Sequence, residues 1–452
     1  MRQSALIQKI KAASELMSQP TPWPKGRLPV VWVSIVSLVG FVFLIIPRSS
    51  SWTIQRIFAE DGQVFLTQTL ENGFGGLLDT YAGYLHVVPR TISIACTQIG
   101  PENYVVCTTI SSHLVRILGM LIALPVLVRF APNWKWGLAA ASSFIFIPVG
   151  QQEVLGNLAN LRWFLVAIAF FVIMGVFKTP ALAIVASIAV FGGVLSDTLV
   201  FFLLPFALWR LFSVKGVWAR LPSIVLGIGT VIHIVLLNAA SRETRGSIWD
   251  LIDSPSQTIA QVLVRGPLVT QIGMTGTQDS LWHLGVIPSV LILVLPASLV
   301  FIAWRQRSKP DPTLLFIGLL VAVGTALLLV TLSFPASYIA LADIWAPGQP
   351  ARYSALAAMF LTPALVLLIA QVWVKNQEKL LIRSLALVSI GLLALGILWD
   401  FGGDARHAAG TPWISIVEQG RQSCIETGVD PAFTTTPDYE GWLTKLTCDW
   451  LR

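Results

Sequence analysis

Residues 28–47 read LPVVWVSIVSLVGFVFLIIP, a stretch without a single charged side chain. A run of about 20 apolar residues is long enough for a helix to cross the hydrocarbon core of a bilayer. Similar runs recur along the 452 residues, of which 55% are hydrophobic and only 12% are charged. A soluble chain carries about 25% charged residues. The composition therefore predicts an all-α protein that crosses a membrane many times.

The apolar runs predict about eleven transmembrane helices. Several runs in the first half of the chain contain Pro or Gly, so we expect broken or tilted helices between 135 and 212. The predicted spans are 28–47, 104–130, 135–149, 161–177, 180–195, 198–212, 219–238, 284–304, 313–332, 353–374 and 382–399.

The distribution of charge predicts the orientation. With the N-terminus in the cytoplasm, the segments on that side hold seventeen Lys and Arg residues but only three acids, as the positive-inside rule requires. Segment 1–27 lacks the apolar core of a signal peptide and is expected to be a cytosolic extension. No basic stripe interleaved with aromatics is present, which argues against nucleic-acid binding.

This orientation places the large polar segments outside the cytoplasm and leaves 28–399 as the transmembrane domain. Within the first outer loop, residues 57–70 and 84–99 predict two amphipathic helices that lie on the membrane surface. An alternative, in which 84–99 spans the membrane, conflicts with the orientation. The outward segments are the loops 48–103, 239–283 and 333–352 and a small tail, 400–452.

The chain has four cysteines. Cys424 and Cys448 both lie in the outward tail, where an oxidising compartment favours a disulfide that staples a small unit. Cys96 and Cys107 lie near the border of the second span, and we expect free thiols there, with a second disulfide as the alternative. No spacing typical of a metal site is present, so no metal ligands are predicted.

The acidic pair Glu60–Asp61 lies in the first outer loop, in the run FAEDGQ. Such acids are either ordinary solvated residues or a general base that deprotonates an acceptor hydroxyl. Adjacent carboxylates on a helix point about 100° apart, so only one need reach the reaction centre. We expect Asp61 to be the base, with a slight preference over Glu60. The pair could also ligate Mg²⁺ or Mn²⁺.

Further polar side chains fall close to the same membrane surface. Tyr84, His86 and Arg90 follow the first amphipathic segment, and the i, i+4 spacing of His86 and Arg90 predicts one helix face that could bind phosphate. Tyrosines at the interface are also ordinary membrane anchors. Arg116, inside the second span, is either functional or paired structurally with a carbonyl or an acid.

A second polar group precedes the fourth predicted span. Glu153, Asn157 and Asn160 repeat at helical spacing and predict a polar stripe that lines a cavity for sugar hydroxyls or simply faces water. Asp197 is explained as a helix N-cap.

Three arginines in outward segments are the best predicted phosphate ligands. Arg242 and Arg245 lie in the loop 239–283, and Arg352 begins a span. The planar guanidinium can donate two hydrogen bonds to one phosphate. Headgroup anchoring is the alternative role of Arg352.

The layout and three short runs resemble the GT-C superfamily of membrane glycosyltransferases. The runs are Ala59–Gly62, Tyr84–Arg90 and Asn157–Trp163, which are similar to bacterial membrane proteins associated with polysaccharide- or O-antigen-modifying glucosyltransferases. The tail of about fifty residues is shorter than the C-terminal domain of larger members.

This resemblance implies a bacterial inner-membrane enzyme with a polyprenyl-phosphate-linked sugar donor. Its acceptor would be a hydroxyl of a cell-envelope glycan or lipid-linked saccharide on the extracytoplasmic face. A transporter or flippase of lipid-linked saccharide is an alternative that shares a polar cavity and broken helices. Further alternatives are a membrane acyltransferase with His113 or His233 as base, and an assembly scaffold.

Overall fold

A computed structural model describes most of the chain. The described residues are 15, 19, 23, 25–49, 54–149, 154–177, 179–238, 252–253, 255–307, 311–333, 352–401, 410–436 and 441–452. Three of the predicted site residues, Glu153, Arg242 and Arg245, lie outside them.

Helices make up nearly all of the described structure, as the composition predicts. The α-helices are α1 Arg27–Ser49, α2 Thr67–Asn72, α3 Val87–Thr97, α4 Tyr104–Phe130, α5 Trp134–Ala141, α6 Leu161–Met174, α7 Pro180–Val194, α8 Leu204–Ser213, α9 Val217–Asn238, α10 Pro255–Leu263, α11 Val269–Leu284, α12 Val286–Leu291, α13 Val294–Arg305, α14 Pro312–Leu332, α15 Arg352–Lys375, α16 Leu380–Asp400, α17 Trp413–Thr427 and α18 Cys448–Leu451.

Shorter elements join these helices. Two π-helices cover Asp61–Leu66 and Val264–Leu268, and two strands, β1 Ala432–Thr434 and β2 Leu443–Lys445, form an antiparallel hairpin. The 3₁₀ helices are Gly73–Leu78, Pro101–Asn103, Ser142–Phe144 and Thr198–Leu203.

Within the described residues, seven helices are long and apolar enough to cross a membrane, which makes this a multi-pass membrane protein. They correspond to seven of the eleven predicted spans, and the count of eleven is not confirmed. The predicted spans between 135 and 212 are shorter helices, and α6 has only 14 residues. Its side chains are buried except for Arg162, so the rest of the bundle covers this helix. The seven helices are Arg27–Ile46, Pro101–Phe130, Val217–Leu237, Ile287–Arg305, Pro312–Leu332, Arg352–Lys375 and Leu380–Asp400.

The predicted outward segment 239–283 is helical over most of its described part. Helices α10 and α11, joined by the second π-helix, pack against α14, α15 and α16. Helix α11 kinks at Gly273, where φ is 78°. The carboxylate of Asp400 accepts hydrogen bonds from the amides of Met274 (2.9 Å) and Thr275 (2.7 Å), so it caps the helical segment after the kink.

Arg116 has a structural role. It is buried in α4 and donates to the carbonyl oxygens of Phe144 (3.1 Å) and Ile145 (2.9 Å). Its guanidinium also lies 4.8 Å from the ring centre of Phe164. The carbonyl pairing weighed from the sequence is therefore the arrangement observed.

The segment 54–103, called here the first loop, folds together with the described C-terminal residues 410–436 and 441–452, called here the tail. Within the first loop, the predicted surface helices correspond to the π-helix with α2 and to α3, which is too short to span a membrane. One apolar cluster combines Ile57, Leu66 and Tyr104 with Trp413 and Leu451 of the tail. The two segments therefore share a core.

Both cysteine pairs are disulfides. The predicted Cys424–Cys448 bond is confirmed and joins α17 to α18. Cys96 and Cys107 also form a disulfide, so the expectation of free thiols was wrong. That bond ties the end of α3 to the start of α4, since the turn between them brings two residues eleven apart in sequence into contact.

Candidate active site

Asp61 holds two parts of the structure together. It begins the first π-helix and is buried. Its carboxylate oxygens accept hydrogen bonds from the backbone amides of Leu158 (2.8 Å) and Ala159 (3.0 Å). Because both oxygens receive amide hydrogens, the side chain fixes the turn that precedes α6 against the first loop. This geometry reverses our slight preference for Asp61 over Glu60 as the base.

Glu60 lies one residue earlier and has a different environment. Its side chain is half-buried, and its charge acts on the guanidinium of Arg162. The preceding residue, Ala59, has a φ of 35°, a left-handed value that non-glycine residues rarely adopt. Phe58, on the other side of this bend from Glu60, forms a parallel β-bridge with Thr436.

Arg162 is the centre of the site. It is the second residue of α6, and its side chain is 15% exposed. Nη1 of Arg162 lies 3.5 Å from Oδ2 of Asp197, and the guanidinium carbon lies 4.6 Å from the ring centre of Tyr84 and 4.1 Å from that of Trp163. Two aromatic faces and one carboxylate thus fix a largely dry guanidinium.

Arg352 brings a second guanidinium to the same place. It begins α15, is half-buried, and lies 5.3 Å from the ring centre of Tyr353. Tyr353 in turn packs edge-on against Trp163, with 6.4 Å between ring centres. The charges of Arg352, Asp197 and Glu60 all act on Arg162. Arg162 therefore has one direct ion pair, with Asp197, and also feels the charges of Arg352 and Glu60.

Asp197 has the role predicted for it and a further one. Its Oδ1 accepts a hydrogen bond from the amide of Leu199 at 2.8 Å, so it caps the 3₁₀ helix Thr198–Leu203. Burial raises its pKa above the ordinary value of 3.8, and the nearby Arg162 opposes that shift. The pairing with Arg162 had no signal in the sequence, because 35 residues separate the two.

His86 and Arg90 do not share an exposed helix face. His86 precedes α3 with non-helical angles and is buried between Tyr84 and Phe65, whose ring centres lie 4.6 Å and 5.4 Å away. Arg90 is also buried and donates to Oε1 of Gln68 at 2.7 Å. Burial, followed by the charges of Arg90 and His233, lowers the pKa of His86 from 6.5 to about 3. A phosphate site on this face stays a prediction without support from the geometry.

Tyr84 forms a bridge between these groups. The ring contacts both the His86 ring and the guanidinium of Arg162, each 4.6 Å from its centre. It is therefore part of the packing that orients Arg162.

The amide pair Asn157 and Asn160 occupies a turn, so the helical stripe predicted from their spacing is wrong. Oδ1 of Asn157 accepts from the Asn160 amide at 3.0 Å, and Oδ1 of Asn160 accepts from the indole of Trp163 at 3.1 Å. Both side chains are buried. They shape the start of α6, which carries Arg162.

Among the described residues, the donors at this site do not fit Mg²⁺ or Mn²⁺. These ions require several oxygen ligands, and the oxygens of Asp61 already accept amide hydrogens. Within the part of the chain that the structure describes, no group of three His, Cys, Asp or Glu residues could hold a metal ion.

An apolar groove of about 250 Å³ runs between the first half of α8 with its preceding 3₁₀ helix and the middle of α14. The 3₁₀ helix that contributes Phe202 to this groove is the one that Asp197 caps. The groove is lined by Phe202, Phe206, Leu319, Ala322, Val323 and Ala326.

No protein-family model and no curated protein sequence matches the chain. Solved structures do match in layout. An oligosaccharyltransferase of Archaeoglobus fulgidus, tethered to an acceptor peptide with the NVT sequon, shows 14% identity over 86% of this chain and 57% of that chain, with a TM-score of 0.47. The AglB oligosaccharyltransferase of the same organism, with an inhibitory peptide and a dolichol-phosphate, shows 14% identity over 86% and 58%, with a TM-score of 0.43.

ArnT from Cupriavidus metallidurans in the apo state shows 12% identity over 76% of this chain and 77% of that chain, with a TM-score of 0.36. These matched proteins are GT-C membrane glycosyltransferases, the superfamily that the sequence resembles. The chain spans just over half the length of the oligosaccharyltransferases. With every TM-score below 0.5, the function proposed below rests on the geometry of the site alone.

Proposed function

We propose that this chain is a membrane glycosyltransferase that moves a sugar from a polyprenyl-phosphate-linked donor to a hydroxyl of a cell-envelope glycan or lipid-linked acceptor. One observation carries this proposal. The charges of Arg352 and of the half-buried carboxylate of Glu60 both act on the guanidinium of Arg162, at the start of α6. Two cations suit a departing phosphate, and a carboxylate suits an attacking hydroxyl.

The arginines would stabilise the leaving group. As the bond between the anomeric carbon and the phosphate oxygen breaks, both electrons of that bond go to the oxygen. The polyprenyl phosphate therefore gains negative charge in the transition state. Arg162 is held in place by Tyr84 and Trp163 before any substrate binds, and preorganised donors of this kind lower a barrier most effectively in a dry site.

Glu60 would act as the general base. The acceptor oxygen attacks the anomeric carbon and forms the new glycosidic bond, while its proton moves to the Glu60 carboxylate. Asp61 contributes indirectly, because its two hydrogen bonds to the amides of Leu158 and Ala159 fix the start of α6 and therefore Arg162. The step requires no redox partner, and the charges balance.

The donor lipid would lie in the apolar groove. The groove between α8 and α14 is lined by aliphatic and aromatic side chains, which match an isoprenoid chain in polarity. Phe202 is five residues beyond Asp197, about 10 Å at the rise of a 3₁₀ helix. A lipid tail in the groove would thus lead its phosphate toward the arginines.

The proposed site faces away from the cytoplasm of a bacterial inner membrane, with the N-terminus inside. Helix α15 begins at Arg352 and ends at Lys375, and its 24 residues span about 36 Å. The basic residues at the opposite end of the bundle support this orientation through the positive-inside rule. They are Arg27, Arg129, Lys135, Arg305 and Lys375.

The geometry does not favour the acyltransferase alternative with His233 as base. Nδ1 of His233 contacts the carbonyl oxygen of Val194, and Nε2 accepts a hydrogen bond from the Leu85 amide at 3.3 Å. His233 lies on α9, so one ring nitrogen joins this helix to α7 and the other joins it to the first loop.

The test is mass spectrometry of envelope glycans from a deletion strain complemented with wild type, Glu60→Gln or Glu71→Gln. Glu71 is an exposed acid of the same loop and serves as the matched control. We expect wild type and Glu71→Gln to restore one missing sugar and Glu60→Gln to fail at equal expression.

Two results would contradict the proposal. If no saccharide differs between the deletion strain and wild type, glycosyl transfer is the wrong activity. Transport of a lipid-linked saccharide then becomes the favoured function. If Glu60→Gln restores the sugar fully, the base has been assigned to the wrong residue.

A further inference from the structure

The tail contacts the first loop on both sides of Glu60. On one side, the amide of Ala59 donates to the carbonyl oxygen of Thr436 at 2.6 Å, and the amide of Thr436 donates to that of Ile57 at 3.2 Å. On the other side, a side-chain carbon on Gly62 would come within 2.0 Å of Oγ1 of Thr444. The carboxylate residue therefore lies between two points of attachment.

The hairpin of the tail adds two further bonds to the same segment. The amide of Leu443 donates to Oε1 of Gln63 at 3.1 Å, and the amide of Lys445 donates to Oγ1 of Thr67 at 3.0 Å. Strand β2 thus lies along the first π-helix. Hydrogen bonds to a neighbouring segment explain how a π-helix, a rare conformation often found at functional sites, is retained here.

The conformation of Ala59 shows that the attachment carries strain. A φ of 35° is uncommon for a residue with a side chain, and such a conformation persists only where the surrounding structure imposes it. The bond from Ala59 to Thr436 is the contact that would impose it. Without the tail, the backbone before Glu60 would relax to an ordinary angle and the carboxylate would move.

The tail is also fastened to the far end of the first loop, which the Cys96–Cys107 disulfide ties to α4. The indole of Trp413 donates to the carbonyl oxygen of Pro101 at 2.6 Å, and the indole of Trp450 donates to that of Thr97 at 2.9 Å. Arg421 forms an ion pair with Glu102 at 2.5 Å. The hairpin is therefore a fixed support and does not hang freely from α17.

We propose that the tail hairpin is a positioning element for the transfer reaction: the backbone of Thr436 and the close packing of strand β2 against Gly62 set the place of Glu60. The proposal rests on the proposed function, since it concerns the same carboxylate. The small tail would thus be part of the catalytic site, because its contacts with the first loop hold Glu60 in place.

The experiment compares three variants of the full-length protein. Gly62→Ala forces a methyl group against the Thr444 hydroxyl, while Gly75→Ala adds one in the same loop where nothing lies within 4 Å. The double variant Gly62→Ala/Thr444→Ala removes the hydroxyl and leaves the next contacts with Gly62 at 3.3 Å. Purified proteins are followed by hydrogen exchange of the first-loop amides and by sugar transfer from a polyprenyl-phosphate-linked donor.

We expect Gly62→Ala to speed exchange at the Ala59 amide about tenfold, since a local opening exposes it. Its kcat should fall about a hundredfold, as a small misplacement of a catalytic group can do. The KM for the donor should stay within about twofold, because the arginines lie on other helices. Gly75→Ala should match wild type, and the double variant should recover both exchange and kcat.

The outcomes separate the two proposals. If Gly62→Ala leaves exchange and kcat at the values of Gly75→Ala, or changes exchange without lowering kcat, the tail does not position the base. If KM rises while kcat is kept, the tail affects binding instead. If wild type transfers no sugar from this donor, the proposed function fails and the positioning role fails with it, whatever the exchange data show.

Discussion

Nη1 of Arg162 and Oδ2 of Asp197 lie 3.5 Å apart, and the Asp197 side chain is only 2% exposed. The pair joins the start of α6 to the 3₁₀ helix that follows α7. A buried carboxylate and a nearly buried guanidinium depend on each other, because removal of either leaves an uncompensated charge away from water. The same guanidinium is the proposed phosphate ligand, so stability and activity can be separated by substitution.

Replacement of Arg162 alone should destabilise the protein, whereas replacement of both partners should not. Arg162→Gln leaves Asp197 buried without its cation, which costs about 3 kcal/mol. Arg162→Gln/Asp197→Asn removes both charges and should restore the melting temperature, measured in detergent. Neither variant should restore the missing sugar in cells. Sugar transfer by the double variant would show that Arg162 is structural only.

Acidification should weaken the fold through His86. Its pKa is about 3 in the folded protein against an ordinary 6.5, so the unfolded chain takes up the proton first. The stabilising effect of neutral His86 is complete above pH 6.5 and is lost as the pH falls toward 3. Between pH 6.5 and 5 the free energy of unfolding should fall by about 1.4 kcal/mol per pH unit from this residue.

The measurement is a comparison of thermal unfolding at several pH values. His86→Phe, which fits among aromatic neighbours, should flatten the profile between pH 6.5 and 5. The same change at the exposed His283 is the matched control. If His86→Phe and wild type show the same dependence of thermal unfolding on pH, His86 becomes protonated in the folded state and the prediction is wrong.

Gly396 should tolerate no side chain. A Cβ there would lie 2.4 Å from the carbonyl carbon of Ile272, next to the kink of α11 at Gly273. Overpacking of this kind costs about 1–3 kcal/mol. Gly396→Ala should therefore lower the melting temperature, whereas Gly391→Ala on the same helix, with nothing within 4 Å, should not. Equal melting temperatures for the two variants would show that α11 and α16 do not touch there.

All four cysteines should resist alkylation until the protein is reduced. Cys96–Cys107 and Cys424–Cys448 are both disulfides. Intact mass spectrometry after N-ethylmaleimide should show no adduct under non-reducing denaturation and four after reduction. Two adducts without reduction, mapped to Cys96 and Cys107, would restore the free-thiol expectation.

The helical membrane fold could be predicted from sequence because long apolar runs and charge distribution are properties of single segments. The short helices of the first half could not be predicted in this way. Helix α6, for example, is covered by neighbouring helices, so its length need not match the thickness of a bilayer. The prediction of a helical polar stripe at Asn157 and Asn160 was wrong for a related reason. Their spacing fits a helix, but their side chains bond within a turn.

Some residues of the candidate site could be selected from the sequence. Glu60, Asp61 and Arg352 were selected because polar residues at the end of apolar runs stand out. Arg162 lay inside the run Asn157–Trp163 that carried the resemblance, yet no role was assigned to it. Its importance depends on contacts with Asp197 and Tyr84, which come from other parts of the chain. Such long-range pairing leaves no pattern in one sequence.

The bond between Leu443 and Gln63 joins residues 380 positions apart. During synthesis, Gln63 leaves the ribosome long before Leu443, so the helices can enter the membrane while the acidic loop still lacks its support. The supported geometry of the first loop would then be the last feature to form, after the tail has folded and its cysteines have been oxidised. A chain that ends before the tail would carry the membrane helices and yet lack the contacts that hold the segment around Glu60.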